Sequence, residues 1–252
     1  MPLAKPIRAD RRKRHAANAR DRVVKLKGDI FHSTAILCEF LYYAFNTILG
    51  LREVYPKHDF KWDKRYDIYL PMLIDPDLKG YLTKVTTQLK PWLETKSVTR
   101  IVLALVSKET RETVERWQFD IHTTAEQPPQ PEVAAPQTAP SAAAAADQAQ
   151  FQPVARSDHD MQAEALQIFR QIFSSVTFMP ALEPDQCLFT ILSYVNKSAE
   201  IPAGWNKSDP YIISATADQV PIHGLTTSVY KLVPTVTYCA NQAQQTEEEA
   251  EE

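Results

Sequence analysis

A strictly alternating stretch at residues 115–121 constrains the fold of this chain more than any other feature. It reads Glu-Arg-Trp-Gln-Phe-Asp-Ile, so apolar side chains occupy every second position from Trp117 onward. Successive side chains of a strand point to opposite faces of a sheet, and the pattern therefore predicts a strand with one buried and one polar face. The nearly continuous apolar run at residues 99–106 is typical of a central strand covered on both faces. The polar residues between the two runs predict a hairpin.

Apolar residues at intervals of three and four predict three amphipathic helices. They are expected at residues 29–55, 78–93 and 159–175, the first ending before Pro56. Extended or β-rich pieces are expected at residues 66–74, 187–195, 211–214, 226–232 and 235–239, with breaks at Pro221, Gly224 and Pro234. This order of elements predicts an α+β fold in which three helices pack on an antiparallel or mixed sheet.

Three segments are predicted to lie outside the folded core. Residues 1–28 contain ten Lys or Arg side chains and are expected to form a disordered basic arm. Residues 123–158, rich in Pro and Ala, are expected to be a disordered insert, and residues 241–252 an acidic tail. The cluster Arg11–Arg14 is also compatible with a nuclear import signal or a nucleic-acid patch. The arm has few aromatic residues, so no specific nucleic-acid partner is expected.

The sequence contains no motif for catalysis, cofactor binding or metal binding. Its five glycines are too far apart for a dinucleotide loop, a P-loop or a nucleophile elbow. Its histidines and cysteines show no HExxH or CxxC spacing, and the odd number of cysteines favours a reducing compartment. No run of about 20 apolar residues suggests a membrane span. We therefore expect a protein that is not an enzyme, needs no cofactor and has no membrane partner.

Several short motifs occur in the order found in one protein family. Beside residues 115–121, they are residues 52–56, 89–93, 169–172, 176–183, Trp205, residues 226–231 and residues 236–238. Together they resemble HORMA-domain proteins of the spindle assembly checkpoint over residues 29–240. The resemblance implies a HORMA-like fold, with three helices on a mainly antiparallel sheet and a mobile C-terminal β segment at residues 196–240. The basic arm, the insert and the acidic tail depart from the family pattern.

The resemblance also implies a mode of binding. A partner peptide adds as a strand to the edge formed by residues 187–195, and the C-terminal segment closes over it as a safety belt. In the alternative open form, the belt itself covers that edge. The edge residues implied are Leu188, Phe189, Thr190, Ile191, Leu192, Ser193, Tyr194 and Val195, and the belt residues are Trp205, Tyr230, Val236 and Tyr238. Strand addition is physically reasonable, because an exposed edge offers unpaired backbone groups.

Three further positions carry implied roles. Arg170 and Gln171 match a pair used in dimerisation of the open and closed forms, and Phe178 matches a partner contact. Judged from periodicity alone, Arg170 and Gln171 would be an ordinary solvated helix face and Phe178 a residue flanking the core. Trp205 is likewise open to interpretation as an apolar cover for the sheet edge.

The resemblance implies an adaptor with two kinds of partner. These are a coiled-coil checkpoint protein of the kinetochore and the activator subunit of the anaphase-promoting complex, whose capture delays anaphase. An open–closed homodimer and a location in the nucleus, at the kinetochore and in the cytoplasm are also implied. The alternative within the family is the HORMA adaptor subunit of translesion DNA polymerase zeta. A hydrolase or transferase is a remote third alternative, because site motifs are absent. The sequence does not decide between an open and a closed resting form.

Overall fold

The computed structural model describes residues 11–124, 157–213 and 216–239, with side chains from residue 30 onward. The helices are α1 (Arg11–Leu51), α2 (Pro76–Glu94) and α3 (Asp158–Ser175), and a short 3₁₀ turn lies at Lys57–Asp59. The strands are β1 (Phe60–Arg65), β2 (Ile68–Leu73), β3 (Val98–Ser107), β4 (Thr113–Thr123), β5 (Cys187–Val195), β6 (Ala217–Pro221), β7 (Leu225–Thr226) and β8 (Tyr230–Cys239).

The main sheet has the strand order β5-β3-β4-β8-β6, and the short strand β7 also pairs with β8. Every pairing in it is antiparallel. Strands β1 and β2 form a separate antiparallel hairpin. The predicted α+β fold, with three helices on an antiparallel sheet, is confirmed.

Strand β4 contains the alternating stretch and lies in the middle of the main sheet. Its apolar residues Trp117 and Phe119 are each 1% exposed. The ring of Phe119 makes edge contacts with Phe40 and Phe45 of α1, at centroid distances of 6.5 and 5.9 Å. The apolar face of the strand therefore packs against α1 and forms the centre of the core, as the alternation predicts.

A buried ion pair fixes the C-terminal end of α1 on β4. The Arg52 Nε atom donates a hydrogen bond of 2.6 Å to Glu115, and the Arg52 guanidinium also donates to the Pro180 carbonyl, at 2.5 Å. Trp117 Nε1 donates to the other oxygen of Glu115. Burial raises the pKa of Glu115, and the adjacent Arg52 opposes that shift. This group ties α1, β4 and the segment after α3 together.

Helix α1 differs most from its predicted bounds. It begins at Arg11 rather than at residue 29, so residues 11–28 are helical where a disordered arm was predicted. Pro6 is the last proline before this stretch, and Gly28 is its only glycine, so no strong helix breaker interrupts it. The predicted disorder of residues 1–10, of most of the insert and of the acidic tail falls outside the described residues. The predicted insert at residues 123–158 also includes Thr123, the last residue of β4, and Asp158, the first residue of α3.

Part of α1 is apolar enough to be mistaken for a membrane helix. Residues Ile30–Leu51 reach membrane-spanning length and hydropathy, although no such run was expected from the sequence. Much of this segment is buried in the protein core, including Leu37, Phe40 and Ile48, each 0% exposed, although Phe31 near its start is 49% exposed. This burial explains the composition, because a core helix satisfies the same criteria.

The C-terminal strands also depart from prediction. Residues 211–213 are not a strand, and the strand predicted to break at Pro234 runs continuously from Tyr230 to Cys239. The Pro234 carbonyl accepts a hydrogen bond from Ile222 N, just beyond the end of β6. The N–H and carbonyl of one residue in an antiparallel strand point to the same neighbour, so an N–H at position 234 would point toward β6 and away from β4. Proline therefore removes one bond at the end of β6 and leaves the pairing with β4 intact. Strand β1 was not predicted, because its Phe60 and Trp62 alternate with charged residues in a mostly exposed strand.

Candidate peptide-binding groove at the free sheet edge

Strand β5 forms one edge of the main sheet. It pairs with β3 along its length, from Val98 opposite Val195 to Ser107 opposite Cys187. Among the strands that the structure describes, none pairs with the other side of β5. Backbone N–H and C=O groups on that side are therefore open to an additional strand.

A groove of about 610 Å³ follows this edge. Its walls are β5, helix α2 and the segment after β5, with Thr190–Val195 on the sheet side and Val85, Gln88 and Trp92 on the helix side. Of the eight predicted edge residues, Leu188 and Phe189 lie outside the groove lining. Leu188 is 42% exposed and Phe189 packs its ring against Tyr55 and Tyr81.

The segment after β5 closes the third side of the groove. We call residues 196–210 the strap. Gly204 has φ +103°, a conformation that favours glycine, and Trp205 N donates to the Pro202 carbonyl across the turn that Gly204 forms. Residues Ile201 and Gly204–Pro210 of the strap line the groove opposite β5. The strap therefore crosses over the free edge without pairing with it.

Two tryptophans hold the strap on α2. The rings of Trp92 and Trp205 meet at a centroid distance of 5.1 Å. Trp205 Nε1 donates to Gln88 Oε1 at 2.7 Å, and Trp92 Nε1 donates to the Glu200 carbonyl at 2.8 Å. Both indole N–H groups are thus satisfied by groups across the α2–strap contact, which fixes its position.

The rest of the predicted belt lies at the opposite side of the sheet. Strand β8 pairs with β4, from Glu115 opposite Tyr238 to Thr123 opposite Tyr230. Because β8 occupies this position, β8 does not cover β5, and the strap is the described part of the belt that crosses that edge. This is the arrangement expected for the closed form.

The four predicted belt residues have different roles in this arrangement. Trp205 lines the groove, whereas Tyr230, Val236 and Tyr238 are buried residues of β8. The Tyr230 hydroxyl donates to the Leu93 carbonyl at the end of α2, and burial raises its pKa to about 12. These three residues hold β8 on the core and do not line the groove.

Arg170, Gln171 and Phe178 lie outside the groove lining. Arg170 and Gln171 are exposed on α3, and Phe178 is 50% exposed. The Gln171 side-chain oxygen accepts a hydrogen bond from His223 N between β6 and β7. The ring of Phe178 packs against Tyr238 at 6.3 Å. Gln171 therefore contacts the connection between β6 and β7, and Phe178 contacts β8.

The groove has an open sheet edge on one side and apolar and charged side chains around it. It offers unpaired backbone groups of β5, apolar walls, and charged side chains of Lys84, Lys207 and Asp209. Within the described residues, no group of three or more His, Cys, Asp or Glu side chains could hold a metal ion. Burial raises the pKa of Tyr81 at the groove.

Among the groove residues that were not predicted as site residues, Gln88 and Gly204 help to place the strap. Gln88 lies one helical turn before Trp92 on α2, a spacing that places both side chains on one face. Gly204 immediately precedes Trp205 and marks the turn of the strap. Both signals were present in the sequence, but only the folded chain shows that they meet.

Residues 33–223 match the family described as the HORMA domain. The chain belongs to the HORMA-domain family. Relatives that this chain matches over most of their length include the mitotic spindle checkpoint component mad2 of Schizosaccharomyces pombe. That protein is 33% identical over 83% of this chain and 93% of its own length. The mitotic spindle assembly checkpoint protein MAD2A of Homo sapiens is 32% identical over 87% of this chain and 95% of that protein.

Solved structures agree with this assignment. A chain in the crystal structure of the mitotic checkpoint complex superposes on the HORMA domain with a TM-score of 0.67 and 30% identity, covering 83% of this chain and 99% of that chain. The Caenorhabditis elegans protein HTP-1, bound to the HIM-3 closure motif, superposes with a TM-score of 0.65 over 83% of this chain and 91% of its own. At 13% identity, this second likeness supports the fold alone.

These findings confirm the spindle checkpoint branch predicted from the sequence motifs. The curated relatives that match most of the HORMA domain are named as mitotic spindle checkpoint proteins. The polymerase zeta adaptor is therefore not favoured. The chain is a mitotic spindle checkpoint protein of the HORMA family.

Proposed function

We propose that this protein acts as a checkpoint adaptor by trapping an extended partner peptide between β5 and the strap. The observation that supports the proposal most is the unpaired edge of β5 beneath a strap fixed by Trp205. The peptide adds as a strand to β5, and its backbone hydrogen bonds supply affinity. Side chains at alternate positions face the apolar wall that includes Val85, Ile191 and Trp92.

The same geometry accounts for slow release. The strap begins at the end of β5 and the belt ends on β4, so a bound peptide is enclosed between the sheet and the belt. Its release requires the strap to leave α2 or β8 to leave β4, and both are local unfolding events.

The partners proposed are those implied by the resemblance to the checkpoint family. One is a coiled-coil checkpoint protein of the kinetochore, and the other is the activator subunit of the anaphase-promoting complex. Capture of the activator would inhibit the complex and delay anaphase. Action at the kinetochore, in the nucleus and in the cytoplasm follows from these partners. We further propose that Arg170 and Gln171 support an open–closed homodimer and that Phe178 contacts partners.

A peptide with selected backbone N-methyl groups tests strand addition. The probe is a peptide from the belt-binding region of the anaphase activator of the same organism, with two N–H groups methylated that would face β5. Each lost hydrogen bond costs about 1 kcal/mol, so affinity should fall about 30-fold. The matched control peptide carries the same two methyl groups at the intervening positions, whose N–H groups point away from β5.

Hydrogen exchange gives an independent measurement. The unmodified peptide should slow exchange of outward-facing amides in residues 190–195 and leave the amides of β6 unchanged. Equal affinities for the two methylated peptides, together with unchanged exchange in β5, would contradict strand addition at this edge.

A further inference from the structure

The polar half of the alternating stretch forms a network on the sheet face opposite α1. The Arg116 guanidinium donates to Gln118, and the Gln118 amide donates to Asp120 at 2.6 Å. Asp120 also accepts a hydrogen bond of 2.5 Å from Arg100 on β3. Val102, which is on the same face of β3, is 0% exposed beneath these longer side chains. This network neutralises the charge of Arg100.

A cleft of about 530 Å³ opens at one end of this face, where β3 begins and β4 ends. Lys96, Arg100, Asp120 and His122 are among the residues that line it. Lys231 is opposite His122 in the β4–β8 register, so the two side chains share a face at the rim of the cleft. We call Lys96, His122 and Lys231, with the cleft between them, the basic cleft.

The basic cleft carries positive charge that its surroundings do not balance. Within the part of the chain that the structure describes, Lys96 and Lys231 form no ion pair, and Asp120 is already bonded to Arg100. Lys231 is exposed and Lys96 partly exposed. The cleft therefore suits an acidic segment more than an apolar one.

The acidic tail of the same chain has the length and charge to reach this cleft. It follows Cys239, at the opposite end of β8 from Lys231. The eight residues from Lys231 to Cys239 span about 26 Å at about 3.3 Å per residue. Five glutamates begin at Glu247, the eighth residue after Cys239. A reversal takes about two residues, so an extended tail returning along β8 would bring residue 250, between Glu249 and Glu251, level with Lys231.

We propose that residues 247–252 bind the basic cleft of their own chain, with glutamate side chains at Lys96 and Lys231. The tail then lies across the uncovered polar face of β4 and β8. Its attachment to β8 keeps the glutamates at a high effective concentration near the cleft, which makes weak exposed ion pairs sufficient for docking. The proposal does not depend on peptide trapping, because the cleft is separate from the groove beside β5.

Lysine acetylation read by mass spectrometry tests this proposal on the full chain. The wild type is compared with a variant in which Glu247, Glu248, Glu249, Glu251 and Glu252 are all replaced by Gln. If the tail is docked in about two-thirds of molecules, the variant should label Lys96 and Lys231 about threefold faster. Lys57 and Lys64, whose side chains are 80% and 60% exposed and do not line the cleft, are the control sites and should not change.

A reciprocal variant supplies a second measurement. In Lys96→Gln/Lys231→Gln, the NMR signals of the tail should move to their positions in a synthetic peptide of residues 240–252. Sodium chloride at 1 M should have the same effect on the wild type, because it screens exposed charges.

Three results would overturn the proposal. One is equal labelling of Lys96 and Lys231 in the wild type and the tail variant. Another is a rise in labelling confined to Lys25 and Lys27, which would place the tail on the basic N-terminal helix. The third is protection of the cleft that disappears on tenfold dilution, which would assign the docked tail to a second copy.

Discussion

Removing the Trp205 side chain should shorten the lifetime of a trapped peptide. The Trp205→Ala substitution removes the hydrogen bond to Gln88 and the ring contact with Trp92. The hydrogen bond contributes about 1 kcal/mol and the aromatic contact about another 1 kcal/mol. The free energy that holds the strap on α2 would therefore fall by about 2 kcal/mol. If release requires the strap to open, dissociation should accelerate about 30-fold.

The assay measures dissociation from a complex formed in advance. A fluorescent partner peptide is bound, unlabelled peptide is added in excess, and the fall in anisotropy gives the rate. Trp205→Phe keeps a ring beside Trp92 and loses only the hydrogen bond, so its rate should rise about fivefold. The control is Trp62→Ala, because Trp62 is 60% exposed on β1 and stacks on Phe173 rather than on the strap.

Dissociation from Trp205→Ala must be faster than from both the wild type and Trp62→Ala. An unchanged rate for Trp205→Ala, with the fold intact, would show that the strap does not retain the peptide.

Four other predictions follow from the described contacts. Glu115→Gln should lower the free energy of unfolding, measured in urea, by about 3–5 kcal/mol, because it leaves Arg52 charged and buried without its partner. The control is Glu53→Gln, which removes the solvent-accessible ion pair with Lys57 and should cost under about 1 kcal/mol. Arg170→Glu with Gln171→Ala should give a monomer in sizing chromatography that still binds peptide, and a wild type that never dimerises would contradict this. Replacing residues 126–155 by a short Gly/Ser linker should leave peptide binding intact and raise the melting temperature slightly, since loop closure costs only about 0.6 kcal/mol per doubling of length; a large loss of either would show that the insert packs on the domain. Burial raises the pKa of Cys38 to about 11, so Cys38 should react with a thiol reagent at pH 8 far more slowly in the folded protein than in urea, and equal rates would refute the raised pKa.

The elements predicted well are those whose local pattern is strong. Residues 187–195 form β5 with the predicted bounds, and the 115–121 stretch lies within β4. Helix α3 begins one residue before its predicted start, where Ser157 caps it by accepting from Asp160 N. In these segments the buried face and the local period agree, so the sequence alone identifies them.

The features that were missed depend on contacts between distant segments. No local pattern states whether β8 pairs with β4 or covers β5, because its alternating residues would suit either position. The strap contact joins Trp205 to Gln88 and Trp92, more than a hundred residues earlier in the chain. The groove and its closed arrangement therefore became visible only with the tertiary structure.

If the protein traps a peptide as proposed, the strand order also decides how the partner enters. Sheet, strap and β8 together form a ring around the space beside β5, closed only by noncovalent contacts. A free peptide end could thread through such a ring, but an internal stretch of a long, folded partner could not. For that kind of partner, the rate of association would be set by how often the ring opens. Raising the partner concentration would then stop accelerating capture above a certain level. The maximum rate of capture would then equal the rate at which β8 separates from β4.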